Sequence, residues 1–267
     1  MADKPLVLFC NCIYSEIIDR DKKAKILHTL RSSGINFEVV GDLCEYSAKK
    51  MSPLKKWAQA EPLTIIACYP RAVRWLFFAA GASLENKQVE FLNMRTSSAQ
   101  EIISQIANEN NTSQKGKQAG PQEKGDWVPW FPVIDYDRCK NCKQCMNFCL
   151  FGVYGLSENG KIEVQKPAGC KTNCPACARV CPFNAIIFPK YTEGPINGDE
   201  VSEEPNKKQN IKELVEGDNL EQIRNRGKTN EQIDGGQLAR IQNLTGKLNI
   251  QTQGKSTSSP EEQNQER

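Results

Sequence analysis

Histidine is almost missing from this chain: His28 stands alone among 267 residues. A sequence so poor in imidazole offers no histidine ligand set, and His28 itself, with Ile26, Leu27 and Leu30 around it in a helical pattern, reads as a surface or boundary position rather than a general base. Long apolar runs are missing too. The longest candidate, Trp75 to Ala82, is too short to span a bilayer, and Leu6 to Phe9 is too short for the apolar core of a secretory leader. A cytoplasmic protein without membrane insertion is therefore expected. There is no G-x-G-x-x-G, P-loop, nucleophile elbow or pair of catalytic carboxylates, so no flavin or nicotinamide site is evident and no small-molecule chemistry is indicated within the chain. Hydrophobic residues are only 39% of the whole and charged residues 25%, which excludes one continuous core of this length. No aromatic residue or cysteine follows Tyr191.

What the chain has is cysteine, twelve in all. In a chain without a leader such a number points to metal rather than to disulfides. Eight fall between residues 139 and 181 in two runs. The first is Cys139-x2-Cys142-x2-Cys145-x3-Cys149, the second Cys170-x3-Cys174-x2-Cys177-x3-Cys181-Pro182. Three thiolates at such short intervals wrap one face of an iron–sulfur cube if the backbone turns tightly with its N–H groups aimed at the sulfurs, and Asn141, Asn173 and Ala176 suit such loops. The x3 step sets the last cysteine of each run on a short helical turn that leads away. Zinc is the competing reading, although structural zinc sites more often use paired C-x2-C units.

The segment 127–192 resembles a two-cluster bacterial-type [4Fe–4S] ferredoxin, in which the last cysteine of each run ligates the other run's cluster. The resemblance implies Cys139, Cys142, Cys145 and Cys181 for cluster 1, and Cys149, Cys170, Cys174 and Cys177 for cluster 2. Val133 to Asp137 would lead into the first run, Lys161 to Val164 would belong to the hairpin between the runs, and Ala185 to Phe188 would form the closing strand. Two departures stand out. Leu150 takes the place of the family's usual proline, and the extra residue between Cys170 and Cys174 alters the second loop, where backbone hydrogen bonds bear on cluster potential.

Charge supports this reading. The segment 127–192 carries 8 basic and 4 acidic residues, and the whole chain a formal +3. Two oxidised cubanes with four thiolates each add about −2 apiece and bring the total to about −1. No nucleic-acid partner is therefore expected. Lys140, Lys143, Lys171 and Arg179 read as counter-charges around buried anions or as ordinary solvated residues.

The first 110 residues alternate strand and helix patterns. Pro5 to Phe9, Asn36 to Val40, Leu63 to Ala67 and Val89 to Leu92 have the apolar character of buried parallel strands. Asp19 or Asp21 caps a helix that stops at Gly34, Pro70 opens one that stops at Gly81, and Ser97 or Ser98 caps another carrying Ile102, Ile103 and Ile106. A doubly wound α/β domain follows. The expected organisation is thus α/β plus α+β: a Rossmann-like domain at 1–110, a flexible linker at 111–126, a ferredoxin domain at 127–192, and a polar, largely disordered tail at 193–267 with amphipathic stretches at 211–223 and 237–244.

The other four cysteines, Cys10, Cys12, Cys44 and Cys68, each follow a strand of the first domain, on the sheet edge where open α/β folds bind ligands. The motifs Leu6-Val-Leu-Phe-Cys-Asn-Cys12, Asp42-Leu-Cys44 and Ile66-Ala-Cys-Tyr-Pro-Arg71 resemble the amino-terminal domain of the flavin-binding subunit of heterodisulfide reductase over roughly residues 5–95, without that family's flavin-binding part. The resemblance implies a third [4Fe–4S] cluster at the four cysteines, against zinc at the same thiolates or four buried structural cysteines. Arg71 and Arg74, just beyond Cys68, read as neutralising or partner-guiding cations, or as solvated helix residues. The functional expectation is an electron carrier, or an electron-wiring subunit of a larger oxidoreductase complex, with redox proteins as donor and acceptor. The alternative is an interaction or regulatory module that senses redox state or iron. A stand-alone enzyme has the least support.

Overall fold

The computed structural model describes residues 5–107, 117–119 and 123–202, which lie within one compact unit, Met1–Pro205. The amphipathic stretches at 211–223 and 237–244 and most of the expected tail fall outside the described residues.

The first part is a parallel sheet with helices against it. Its elements run β1 (Leu6–Cys10), α1 (Arg20–Ser32), β2 (Phe37–Val40), α2 (Leu43–Ala48), α3 (Pro53–Trp57), β3 (Leu63–Ala67), α4 (Pro70–Ala79), β4 (Val89–Asn93), α5 (Ala99–Ala107) and β5 (Lys117–Ala119). The strand order is β4-β3-β1-β2-β5, and every neighbouring pair is parallel. β1 and β3 are buried along their whole lengths, so both read as unbroken apolar runs rather than as alternating ones. Lys117–Ala119, from the stretch read as linker, lies beside β2 as the edge strand.

The right-handed crossover rule fixes where the helices go. The step from β1 to β2 and the step from β2 to β3 run in opposite directions across the sheet, so α1 belongs to one face and α2 to the other. The contacts agree: α1 packs with α5, and α2 with α4. Each helix start has a local cause. Asp19 accepts a hydrogen bond from the Lys22 N–H at 2.8 Å, and Asp42 accepts one from the Glu45 N–H at 3.1 Å. Pro70 occupies the first turn of α4. Ser98 and Glu101 form a reciprocal capping box at the start of α5. The short helices α2 and α3 are held by a fully buried Trp57 that stacks on Tyr46 at 5.5 Å and donates its indole N–H to Glu38 at 2.6 Å.

The cysteine-rich part follows as β6 (Val133–Ile134), α6 (Gln144–Phe148), β7 (Tyr154–Leu156), β8 (Ile162–Val164), a 3-10 turn (Pro167–Gly169), α7 (Ala176–Arg179) and β9 (Ile186–Ile187). β6 and β9 pair antiparallel, Val133 opposite Ile187 and Ile134 opposite Ile186, and β7 and β8 form a hairpin. The period of two along a strand divides these residues between two cores. Val133 and Ile187, with Phe131, join the apolar cluster of the parallel sheet. Ile134 and Ile186, with Trp130 and Phe188, form the cluster beneath the eight cysteines. The β6–β9 ribbon is therefore buried on both faces.

Trp75 and Phe78 of α4 extend this junction by packing against the Tyr136 ring, with centroids 5.6 and 5.2 Å away. Residues 193–200, which the sequence places with the polar tail, also pack here. Gly198, at φ +97°, passes so close to α4 that a Cβ on it would lie 2.5 Å from the Ala72 Cβ.

Candidate metal centres

None of the twelve cysteines is paired in a disulfide. The first run begins in a loop built by backbone geometry. Asp135 accepts hydrogen bonds from the N–H groups of Asp137 and Arg138, and its own carbonyl accepts one from the Cys139 N–H at 2.9 Å. Asn141 and Lys143 then adopt left-handed backbone conformations, φ 53° and 62°, between the cysteines. Asn141 suits its position because its side chain donates to the Gly160 carbonyl and accepts from the Ile162 N–H, tying the loop to the β7–β8 hairpin. In the second run Asn173 occupies the equivalent left-handed position at φ 61°.

The thiols fall into two electrostatic neighbourhoods that meet between Cys145 and Cys177. Cys139 is influenced by Cys181 and Cys142, and Cys145 by Cys181, Cys177 and Cys139. Cys170 is influenced by Cys177, Cys149 and Cys174, and Cys177 by Cys149 and Cys174. Thus Cys181 keeps company with the first run and Cys149 with the second. Burial, followed by these neighbours, pushes the Cys145 and Cys170 thiols up to about 12.

Such groups suit a centre that stabilises thiolate, and the backbone supplies donors for one. The Asn141 N–H acts on Cys139, the Met146 N–H on Cys145 and the Ala178 N–H on Cys177, while the Ala185 N–H reaches the Cys181 sulfur at 3.4 Å. Among the described residues no three Cys, His, Asp or Glu side chains close around one ion position. A cubane differs from zinc in this respect, because it presents a separate iron corner to each thiolate.

The amino-terminal four gather at the carboxyl edge of the parallel sheet. Cys10 ends β1, and Cys12 follows it in a left-handed conformation at φ 47°. Cys44 is the second residue of α2, and Cys68 lies between β3 and α4. The chain leaves β1 for β2 on one side and returns to β3 on the other, so the switch in strand order opens between β1 and β3, where Cys10, Cys12 and Cys68 sit. Cys10, Cys12 and Cys44 are buried, and Cys68 is half-buried. Desolvation raises all four thiols, Cys68 to about 12, and Cys12 is among the influences on Cys10, Cys44 and Cys68. The Leu43 N–H is a donor to Cys10.

The other residues singled out in the sequence divide between buried and solvated surroundings. Arg71 is mostly buried, bonded to Asp135 and to main-chain carbonyls beyond the second cysteine run. The Arg74 guanidinium lies 4.9 Å from the centroid of the Phe91 ring. Arg179 donates to the Tyr191 hydroxyl at 3.0 Å. Lys140 and Lys171 are exposed, as is His28. Sequence reasoning missed Lys190, which is buried beside the amino-terminal four and bonded to Asp42 at 2.8 Å. A lysine in a Pro-Lys-Tyr stretch carries no local mark of such a role.

No protein-family profile matches the chain. Curated relatives do. An uncharacterised ferredoxin of Methanocaldococcus jannaschii is 54% identical over 63 residues, 23% of this chain and 42% of the relative, so the match spans less than half of that protein. The pyruvate synthase subunit PorD of the same organism is 36% identical over 62 residues, 23% of this chain and 70% of that protein. Ferredoxin-3 of a Nostoc species is 33% identical over 88 residues, 26% of this chain and 84% of the relative.

Proposed function

Since the chain belongs to the ferredoxins, a family of iron–sulfur electron carriers, we propose that it passes single electrons through three [4Fe–4S] clusters as a wiring subunit of an oxidoreductase complex. Cys139, Cys142, Cys145 and Cys181 would hold one cluster, Cys149, Cys170, Cys174 and Cys177 the second, and Cys10, Cys12, Cys44 and Cys68 the third. The observation that carries this reading is the grouping of the eight carboxyl-proximal thiols, in which each run's last cysteine lies in the electrostatic neighbourhood of the other run.

When bound, a cubane supplies a one-electron couple whose potential depends on net charge, on hydrogen bonds to sulfur and on exposure. The chain's contribution is to hold thiolates in tight loops, aim N–H groups at them and exclude water. The third site draws support from burial and from its position at the switch in strand order. Membership of a complex is favoured by the likeness to a component of pyruvate synthase, with other redox proteins as donor and acceptor. A cytoplasmic location suits this role, and no helix among the described residues is long and apolar enough to cross a membrane.

Iron quantitation and reductive titration of the anaerobically reconstituted chain test the proposal. About twelve irons per chain and reversible couples near or below about −400 mV are expected. About eight irons would remove the third cluster. Clusters that cannot be reduced reversibly would remove the carrier role in favour of an oxidant or iron sensor.

A further inference from the structure

A buried cluster with four thiolates brings about two negative charges into a medium that solvates them poorly, so a site of this kind needs a nearby cation. At the amino-terminal four cysteines the buried cation does not come from the parallel-sheet part of the chain. It is Lys190, three residues beyond β9, whose side chain is 4% exposed and whose ammonium lies 2.8 Å from a carboxylate oxygen of Asp42, a residue 1% exposed and 148 positions away. Asp42 is also the cap of α2, the helix that bears Cys44, and its second oxygen is buried without a hydrogen-bond partner.

The Lys190 ammonium acts on Cys12, Cys44 and Cys68 and favours their thiolates, while Asp42 acts on all four. An ammonium has three donors, of which Asp42 engages one. The neighbouring main chain is fixed as well: Arg95, a second cation acting on Cys12 and Cys68, donates to the carbonyls of Tyr191 and Thr192 at 3.0 Å each.

We propose that Lys190 is the counter-charge of the amino-terminal cluster site, delivered by the ferredoxin segment, so that this site is complete only with that segment docked. The proposal rests on the reading of Cys10, Cys12, Cys44 and Cys68 as an iron–sulfur centre. Reduction adds a negative charge to the centre, and an adjacent ammonium favours the reduced form. Lys190 is therefore a positioning and potential-setting residue for this cluster alone.

The test is an EPR-monitored redox titration of the full chain, with Cys44→Ala used to identify the signal of the amino-terminal cluster. Lys190→Met is expected to lower that cluster's reduction equilibrium constant at least tenfold, a shift of about 59 mV to more negative potential for one electron. The other two couples stay in place, and Lys190→Arg restores most of the wild-type value. Because Lys190→Met leaves the Asp42 carboxylate without its cation, the double variant Asp42→Asn with Lys190→Met, which preserves the helix cap, carries the test when compared with Asp42→Asn alone if the single variant fails to fold.

An unchanged potential in Lys190→Met relative to wild type, or in the double variant relative to Asp42→Asn, with full iron, overturns the role of Lys190. Iron for only two clusters in the wild-type chain overturns the reading of the four-cysteine site itself, and that result is visible before any lysine variant is made.

Discussion

Arg71 Nε donates to Asp135 Oδ2 at 2.6 Å across 64 positions of sequence. The same guanidinium bonds the carbonyls of Pro195 and Asp199 at 3.1 and 3.3 Å, as well as that of Asn184. Asp135 in turn orders the turn that leads to Cys139. One side chain of α4 thus braces the entry to the first cysteine run, the exit from the second and the chain beyond it. This is a role for planar, multidentate arginine that lysine does not fill.

Arg71→Met is expected to destabilise the chain by about 3 kcal/mol, because it leaves the Asp135 carboxylate buried without its partner. The loss is measured as a lower denaturation midpoint and as new proteolytic cutting in residues 193–200. Unchanged stability would mean that water replaces the guanidinium without penalty.

Tyr136 gives a pH dependence with a definite sign. Burial, and then the nearby Cys139, push its hydroxyl from 10.0 up to about 12. The folded chain holds the proton more tightly than the unfolded one, so the contribution to stability is complete below about pH 10 and is lost as pH rises toward 12. Tyr136→Phe should abolish this alkaline dependence. It also costs about 1 kcal/mol at neutral pH, since the hydroxyl donates to the Ile162 carbonyl at 2.9 Å. Tyrosinate absorbance on alkaline titration reports the first effect and chemical denaturation the second.

Asn141→Ala removes two side-chain hydrogen bonds and places a β-carbon in a left-handed conformation, at a combined cost of about 2 kcal/mol. Asn141→Gly keeps the backbone freedom and loses only the side-chain bonds, so it should be milder. The rate at which the brown colour of the reconstituted chain fades in air should rank wild type slowest, glycine next and alanine fastest. Equal rates in all three would show that this loop does not limit cluster retention.

Phe77 is fully buried on α4 in the core of the parallel sheet. Phe77→Ala is expected to cost about 3–5 kcal/mol through lost burial and the cavity left behind. A fall in the urea midpoint at constant slope checks it.

The strands, and the cysteine spacing that points to iron–sulfur ligation, were legible in the sequence for a common reason: their signals are local. The four apolar runs became β1 to β4 with ends shifted by at most one residue, and Pro70, Gly34 and Gly81 punctuate helices through backbone constraints that any neighbour sequence leaves intact. Cysteine spacing likewise states which thiols share a loop. Charges were not legible in this way. Arg71 and Lys190 look like ordinary surface cations until the fold brings Asp135 and Asp42 to them, 64 and 148 positions away. The helices α2 and α3 were missed because five or six residues are too few to display a 3.6-residue period. The edge strand Lys117–Ala119 was missed because Lys-Gln-Ala has no β-branched or aromatic residue to mark it.

The β6–β9 ribbon, apolar on both faces, bears on how the protein can be taken apart. Ferredoxin modules are attractive as transplantable cassettes, but a cut made at residue 127 would strip the cover from Phe131, Val133 and Ile187 and present a sticky two-stranded surface to solvent. A graft that keeps its solubility would have to recode that face with polar residues, or carry α4 along with it.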